Sequence, residues 1–129
     1  MTETRSARGK RIRAEVLGDG GTASAPRNEL LDPLVELGYE FAWGSIWARE
    51  GIPVKTRRFL AIALLASQNR ASELRMHLRA ALAHDCTAQE LQEVCIHVTC
   101  YCGFPAASEA LRMLAEVVDE SQATHRPPK

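Results

Sequence analysis

Glu73 and His77 stand four residues apart in the segment E-L-R-M-H. On a helix that spacing puts both on one face, where a carboxylate can orient an imidazole and favour its charged form. This is the arrangement of a general acid or base with its support. Such pairs are also common on solvated helix faces, so the chemistry needs corroboration from other residues. Arg70, three positions before Glu73, shares that side, while Arg57 and Arg58 open the apolar run that follows Lys55. A guanidinium at either place suits a carboxylate ligand, and the plainer alternative is a solvated charge at a helix end.

His97 and Tyr101 repeat the four-residue spacing and, with Val94, occupy a face distinct from the core stripe of Leu91, Cys95, Val98 and Cys102. They form a second wall for a pocket, or else a satisfied structural histidine with its neighbour. Trp43 and Trp47 are also four apart and read either as pocket aromatics or as core and interface aromatics. Cys86, Cys95, Cys100 and Cys102 have gaps that match neither C-x-x-C nor a zinc-ribbon pair. On a helix Cys100 and Cys102 would point about 200 degrees apart, so no metal site is expected and the cysteines read as small buried fillers.

The elements that must position these residues are helical. Apolar residues recur every three or four positions from about Asn28 to Val118, with no competing strand-like alternation and no internal repeat. Asp32-Pro33 signals a helix start, with the carboxylate as cap and proline at the first position, and the helix is expected to run to Arg49 before Gly51 and Pro53. Lys55 to Gln68 contains F-L-A-I-A-L-L-A, apolar on nearly every side, which predicts a helix buried in a core or between subunits. After a break near Asn69, Ser72 to His84 repeats through Leu74, Leu78 and Leu82, with Arg75 and Arg79 facing water. Thr87 and Glu90 form a capping box ahead of Leu91, and Gly103-Phe104-Pro105 closes that helix. A last helix is predicted from Ala106 to Val118.

Residues 1–27, rich in Arg, Gly, Ser and Thr and broken by Asp19-Gly20-Gly21, read as an arm with one short helix near Ile12 to Leu17. Residues 28–119 form the helical domain and 120–129 a polar tail. A length of 129 residues allows one core, and 46% hydrophobic with 25% charged residues is a globular balance. Sixteen basic residues oppose sixteen acidic ones, which leaves no net field to draw nucleic acid or an anionic membrane. No apolar stretch of signal-peptide length follows the Arg- and Lys-rich first fifteen residues, and no run approaches the roughly 20 residues of a membrane span. A cytoplasmic location is expected.

Taken in order, Y-E-F-A-W-G-S-I-W-A-R-E-G (39–51), T-R-R-F-L-A-I-A-L-L-A (56–66), E-L-R-M-H-L-R-A-A-L (73–82), T-A-Q-E-L-Q-E-V (87–94) and Y-C-G-F-P-A-A (101–107) resemble the carboxymuconolactone decarboxylase family. R-G-K-R-I-R-A-E-V-L-G-D (8–19) is similar to that family's N-terminal arm, so the likeness covers nearly the whole chain. The resemblance implies an all-α, single-domain bundle of the alkylhydroperoxidase D-like type, no cofactor, and a homo-oligomer, trimer or hexamer. It also implies decarboxylation of 4-carboxymuconolactone to the 3-oxoadipate enol-lactone in aromatic acid breakdown. A related enzyme on another lactone or enolisable acid is the alternative. The peroxide-reducing sister branch uses C-x-x-C-x-x-x-H with an upstream glutamate. Aligned on His77, the cysteine positions hold Arg70 and Glu73 and the glutamate position holds Arg58, so the redox thiols are missing from the required place. Cys95, Cys100 and Cys102 depart from the aliphatic or small residues usual in the decarboxylases.

On that reading His77 is the acid, Glu73 orients it, His97 is a second donor, and Arg58 or Arg70 binds substrate carboxylate. Trp43, Trp47 and Tyr101 complete the pocket.

Overall fold

The computed structural model describes residues 2–18 and 27–124, and among these all regular structure is helical. The chain divides into two compact units, Met1–Val54 and Lys55–Lys129. The Asp19-Gly20-Gly21 break and the proline-ending tail lie outside the described residues.

In the first unit, α1 (Arg5–Leu17) starts well before Ile12, because the Thr4 side chain accepts a hydrogen bond from the Ala7 amide and caps it. It packs against a π-helix, Gly38–Trp47, which continues directly from α2 (Asp32–Leu37). The contact is backbone to backbone. A Cβ on Gly9 would lie 1.8 Å from the Tyr39 carbonyl oxygen, and one on Gly44 would lie 2.4 Å from that of Arg5, so only glycine permits the approach. Arg8 Nε donates to the Gly44 carbonyl at 2.9 Å, Ser6 donates to Glu36, and Lys10 lies over the Tyr39 ring at 5.4 Å.

The start of α2 corrects the expectation for Asp32. Asp32 is the first helical residue and does not cap the helix. Asn28 instead forms the turn, its side chain accepting from the Leu30 amide at 2.8 Å while its own amide donates to Asp32 Oδ1 at 3.2 Å. The expected single α-helix to Arg49 is replaced by α2 and the π-helix, whose i→i+5 closure takes up extra residues within the helix instead of in a loop.

The second unit holds α3 (Val54–Ser67, whose first residue marks the boundary), α4 (Ala71–His84), α5 (Ala88–Cys102) and α6 (Phe104–Thr124). Its core joins Ile62 and Ala66 of α3, Leu74, Leu78 and Ala81 of α4, Leu91, Cys95 and Val98 of α5, and Ala110, Leu114 and Val117 of α6. Asn69 turns the chain between α3 and α4 at φ 56°, a left-handed conformation that asparagine tolerates better than most residues. The capping box at α5 is present in full: Thr87 accepts from the Glu90 amide at 3.1 Å and Glu90 accepts from the Thr87 amide at 2.9 Å. Gly103, at φ 87°, ends α5.

α6 continues past Val118 to Thr124, because Glu116 and Glu120 tie it to α4. Arg75 pairs with both carboxylates, and Arg79 meets Glu120 at 3.0 Å. The two arginines expected to face water therefore bridge two helices. Leu60 and Leu64 of α3 stay 51% and 59% exposed while Ile62 between them is fully buried, so the all-round apolar helix is only half covered by its own chain. No helix among the described residues is long and apolar enough to cross a membrane.

Candidate functional site

α3 and α5 flank an open groove of about 500 Å³ lined by Phe59, Leu60, Ala63, Glu90, Glu93, Val94 and His97. The capping box fixes where α5 begins, and from that start the helical period brings Glu90, Glu93, Val94 and His97 onto the side that faces α3. The lining is mostly apolar, with one imidazole and two carboxylates at its edge. Such a groove can take an apolar ring and exchange a proton with it. Tyr101 lies one turn beyond His97, with its ring centroid 5.7 Å away, and is largely exposed.

At the adjoining end of α3, two ion pairs clamp the helix to the α4–α5 corner. Arg58, 2% exposed, places Nε 2.8 Å from Asp85 Oδ1, and Lys55 Nζ lies 2.6 Å from Glu90 Oε2. Glu90 thus serves the cap and the ion pair with one carboxylate. The hydrogen bond from Lys55, followed by that from the Thr87 amide, holds its carboxyl below the usual range, and the same bond raises Lys55. Burial, reinforced by a 3.3 Å contact with Asp85, pushes the Cys86 thiol up to about 12. Burial alone pushes Cys95 up to about 11.

The residues singled out in the sequence are placed as follows. His97 lines the groove. His77 is buried in α4 and Glu73 lies exposed in the first turn of the same helix. Arg70, at the N-cap of α4, lines a separate cavity of about 90 Å³ with Asn69, Leu74, Glu109 and Met113. Arg58 turns inward to Asp85, as a guanidinium removed from water keeps its charge by pairing with a carboxylate. Trp43 and Trp47 stack on each other in the first unit, with centroids 5.1 Å apart. Cys86 and Cys95 are buried fillers as expected, whereas Cys100 and Cys102 are exposed.

Sequence reasoning missed Asp85 and Glu93 and saw Glu90 only as a cap. Glu93 was the most findable, being four residues before His97, the same relation as Glu73 to His77.

Comparison with known proteins identifies the family. Residues 34–116 match the model of the carboxymuconolactone decarboxylase family. A 4-carboxymuconolactone decarboxylase of Acinetobacter baylyi is 38% identical over 122 residues, covering 89% of this chain and 87% of that protein. A nitrosuccinic acid decarboxylase of Metarhizium robertsii is 33% identical over 114 residues, covering 87% and 80%. An uncharacterised 15.0 kDa protein of Paracoccus denitrificans is 35% identical over 83 residues, covering 63% and 62%. With most of the chain matched by the family model and by two decarboxylases along most of their own lengths, this chain belongs to the carboxymuconolactone decarboxylase family.

Proposed function

We propose that the chain is a cytoplasmic, cofactor-free carboxy-lyase that converts 4-carboxymuconolactone to the 3-oxoadipate enol-lactone. The observation that carries this reading is the 38% identity to the Acinetobacter decarboxylase along nearly the whole of both chains. In the reaction the bond between the ring γ-carbon and its carboxylate breaks and CO2 leaves. The electron pair flows through the ring alkene into the lactone carbonyl, and the resulting dienolate takes one proton at the α-carbon. The lactone is its own electron sink, so the protein has three tasks: stabilise the oxyanion, deliver the proton and hold the second carboxylate.

His77 and His97 are the proton donors of this proposal. Glu73 acts one turn from His77, and Glu93 one turn from His97. Arg70, exposed at the start of α4, is better suited than Arg58 to meet a carboxylate, since Arg58 is already committed to Asp85. Trp43, Trp47 and Tyr101 offer aromatic surface for the ring. We further propose that the enzyme is a homo-oligomer, trimer or hexamer, supported by the exposed Leu60 and Leu64 on α3.

The Metarhizium relative favours a second reading, a related activated acid as substrate. Nitrosuccinic acid and 4-carboxymuconolactone share a succinate skeleton: the carbon that loses CO2 also carries a CH2–COO⁻ arm. The peroxidase reading gains nothing from Cys86 and Cys95, whose burial raises the thiol pKa and opposes the thiolate such chemistry needs, and the exposed Cys100 and Cys102 do not stand at the C-x-x-C-x-x-x-H positions.

The test is CO2 release with loss of the lactone's ultraviolet absorbance, on mixing purified protein with freshly generated 4-carboxymuconolactone and no added metal or cofactor. His77→Ala and His97→Ala are run beside it. Loss of the acid lowers turnover roughly 100-fold to 10,000-fold, and the histidine with the larger loss is the proton donor. Near-normal turnover in both variants would end their assignment. No turnover by folded wild-type protein would leave nitrosuccinate and other substituted succinates to be tried.

A further inference from the structure

A cation stands at one end of the groove between α3 and α5. Lys55, in the first turn of α3, places Nζ 2.6 Å from Oε2 of Glu90, which lines the groove. An ammonium has three donors. One goes to Glu90, and with 40% of the Lys55 side chain exposed the others stay accessible. Other cations of the second unit are engaged or lie elsewhere: Arg58 is taken by Asp85, Arg75 and Arg79 by the carboxylates of α6, and Arg70 lines a different cavity. Lys55 precedes Phe59 of the groove by one turn of α3, as Glu90 precedes Val94 by one turn of α5. His97, seven residues after Glu90, lies roughly 10 Å further along α5 at a rise of about 1.5 Å per residue. Between the ammonium and the imidazole lie Phe59, Ala63 and Val94, all apolar. Charge differs along the groove. Lys55 offsets Glu90, whereas among the described residues no cation pairs with Glu93. An anion is therefore tolerated at the Lys55 end and opposed nearer Glu93.

We infer that Lys55 holds the carboxylate arm that the substrate keeps, with the ring over Phe59, Ala63 and Val94 and its α-carbon toward His97. The substrate of the proposed function joins these points through one five-membered ring: the CH2–COO⁻ arm leaves the γ-carbon, and the α-carbon that takes the proton lies two bonds further round the ring. Once a contact of about 3 Å is taken off at each end, a span of roughly 10 Å leaves room for that ring and arm and little more. A compact ammonium on a flexible stem can follow the arm, while Glu90 keeps it at the end of the groove. No lysine or arginine stands among the lining residues to hold the carboxylate that departs, so charge is gripped where the substrate retains it and not where it is lost. The identity of the ligand and the role of His97 rest on the proposed function; a carboxylate site at Lys55 does not.

The experiment titrates the full chain with the saturated five-membered lactone that bears only an acetate arm on its γ-carbon. This probe keeps ring and arm but has neither alkene nor scissile carboxylate, so it does not react. The chain has three lysines, Lys10, Lys55 and Lys129, and their side-chain ε-CH2 signals are followed singly by NMR. Saturable shifts of Lys55 and of the His97 ring are expected, with Lys10 and Lys129 unmoved. Lys55→Met should weaken the acetate at least about tenfold, the loss of one charge-assisted hydrogen bond, while binding the neutral amide of the same lactone as the wild type does. Lys55→Arg should retain the preference for acetate over amide. Acetate affinity within about twofold of wild type in Lys55→Met overturns the inference. Equal losses of acetate and amide overturn it too, since Lys55 would then shape the groove without reading charge. A wild-type titration in which Lys55 or His97 does not respond overturns it whether or not the variants fold. Responses of both residues in a protein that does not decarboxylate 4-carboxymuconolactone would sink the proposed function and leave this site standing. Turnover of that lactone by a protein whose Lys55 ignores the probe would do the reverse.

Discussion

Replacing Asp85 by alanine removes the carboxylate that lies 2.8 Å from a guanidinium almost wholly withdrawn from water. Breaking a buried ion pair by deleting one partner costs about 3–5 kcal/mol. Asp85 keeps 34% of its side chain exposed, so solvent screens part of the interaction, and the expected loss falls to about 2–3 kcal/mol. At a urea dependence of about 1–3 kcal/mol per molar, the unfolding midpoint should drop by roughly 1–2 M. Asp85→Asn keeps an acceptor and should lose about half as much. The assay is urea unfolding followed by circular dichroism at one fixed protein concentration, because the stability of an oligomer depends on concentration. A drop below about 0.3 M in Asp85→Ala would refute the argument: the buried Arg58 guanidinium would then not depend on Asp85.

Gly9→Ala forces a methyl to within 1.8 Å of the Tyr39 carbonyl, so α1 must shift. A loss of about 1–3 kcal/mol is expected, read as faster amide hydrogen exchange along α1, and unchanged exchange would show the contact to be loose. The Lys55–Glu90 bridge should stabilise the fold across a defined pH window. Glu90, held below its ordinary 4.5, contributes above that pH and loses its contribution as pH falls through its lower folded value; Lys55, raised above 10.5, contributes below that pH and loses it on the alkaline side. Lys55→Met should flatten both limbs of the stability profile, and an unaltered acid limb would count against the bridge. Cys86 and Cys95 should resist iodoacetamide in the folded protein at neutral pH and react after unfolding, as mass spectrometry of the alkylated peptides would reveal. Because their folded pKa values lie near 12 and 11 against an ordinary 9.0, they should also weaken the fold as pH rises above 9.

Helical boundaries set by local chemistry were legible in the sequence. Thr87 with Glu90, Gly103, and the break at Asn69 all act within a few residues of themselves, and each stands where the sequence places it. Features set by distant partners were not. The early start of α1 depends on Thr4 and on the Gly9 contact with Tyr39, thirty residues away in sequence. The late end of α6 depends on Arg75 and Arg79 of α4. The pairing of Arg58 was not legible because a charge at a helix start carries no mark of Asp85, which comes 27 positions later. For the site, spacing along one helix found His97 and Tyr101 together. It could not tell that His77 faces inward, because burial is decided by the helices that pack on α4.

The π-helix at Gly38–Trp47 has a consequence for how this segment can change in length. Each of its turns holds one residue more than an α-turn, so it behaves as an α-helix that has absorbed extra residues without opening a loop. Removing one residue from within it would not simply shorten it: every side chain beyond the deletion would rotate about the axis, parting Trp47 from Trp43 and swinging Ala48 and Arg49 away from α1. Insertions and deletions are therefore easier to accommodate at Gly51, beyond its end, where added atoms meet open space. A shuffled or chimeric version of this protein should be joined there and not within 38–47.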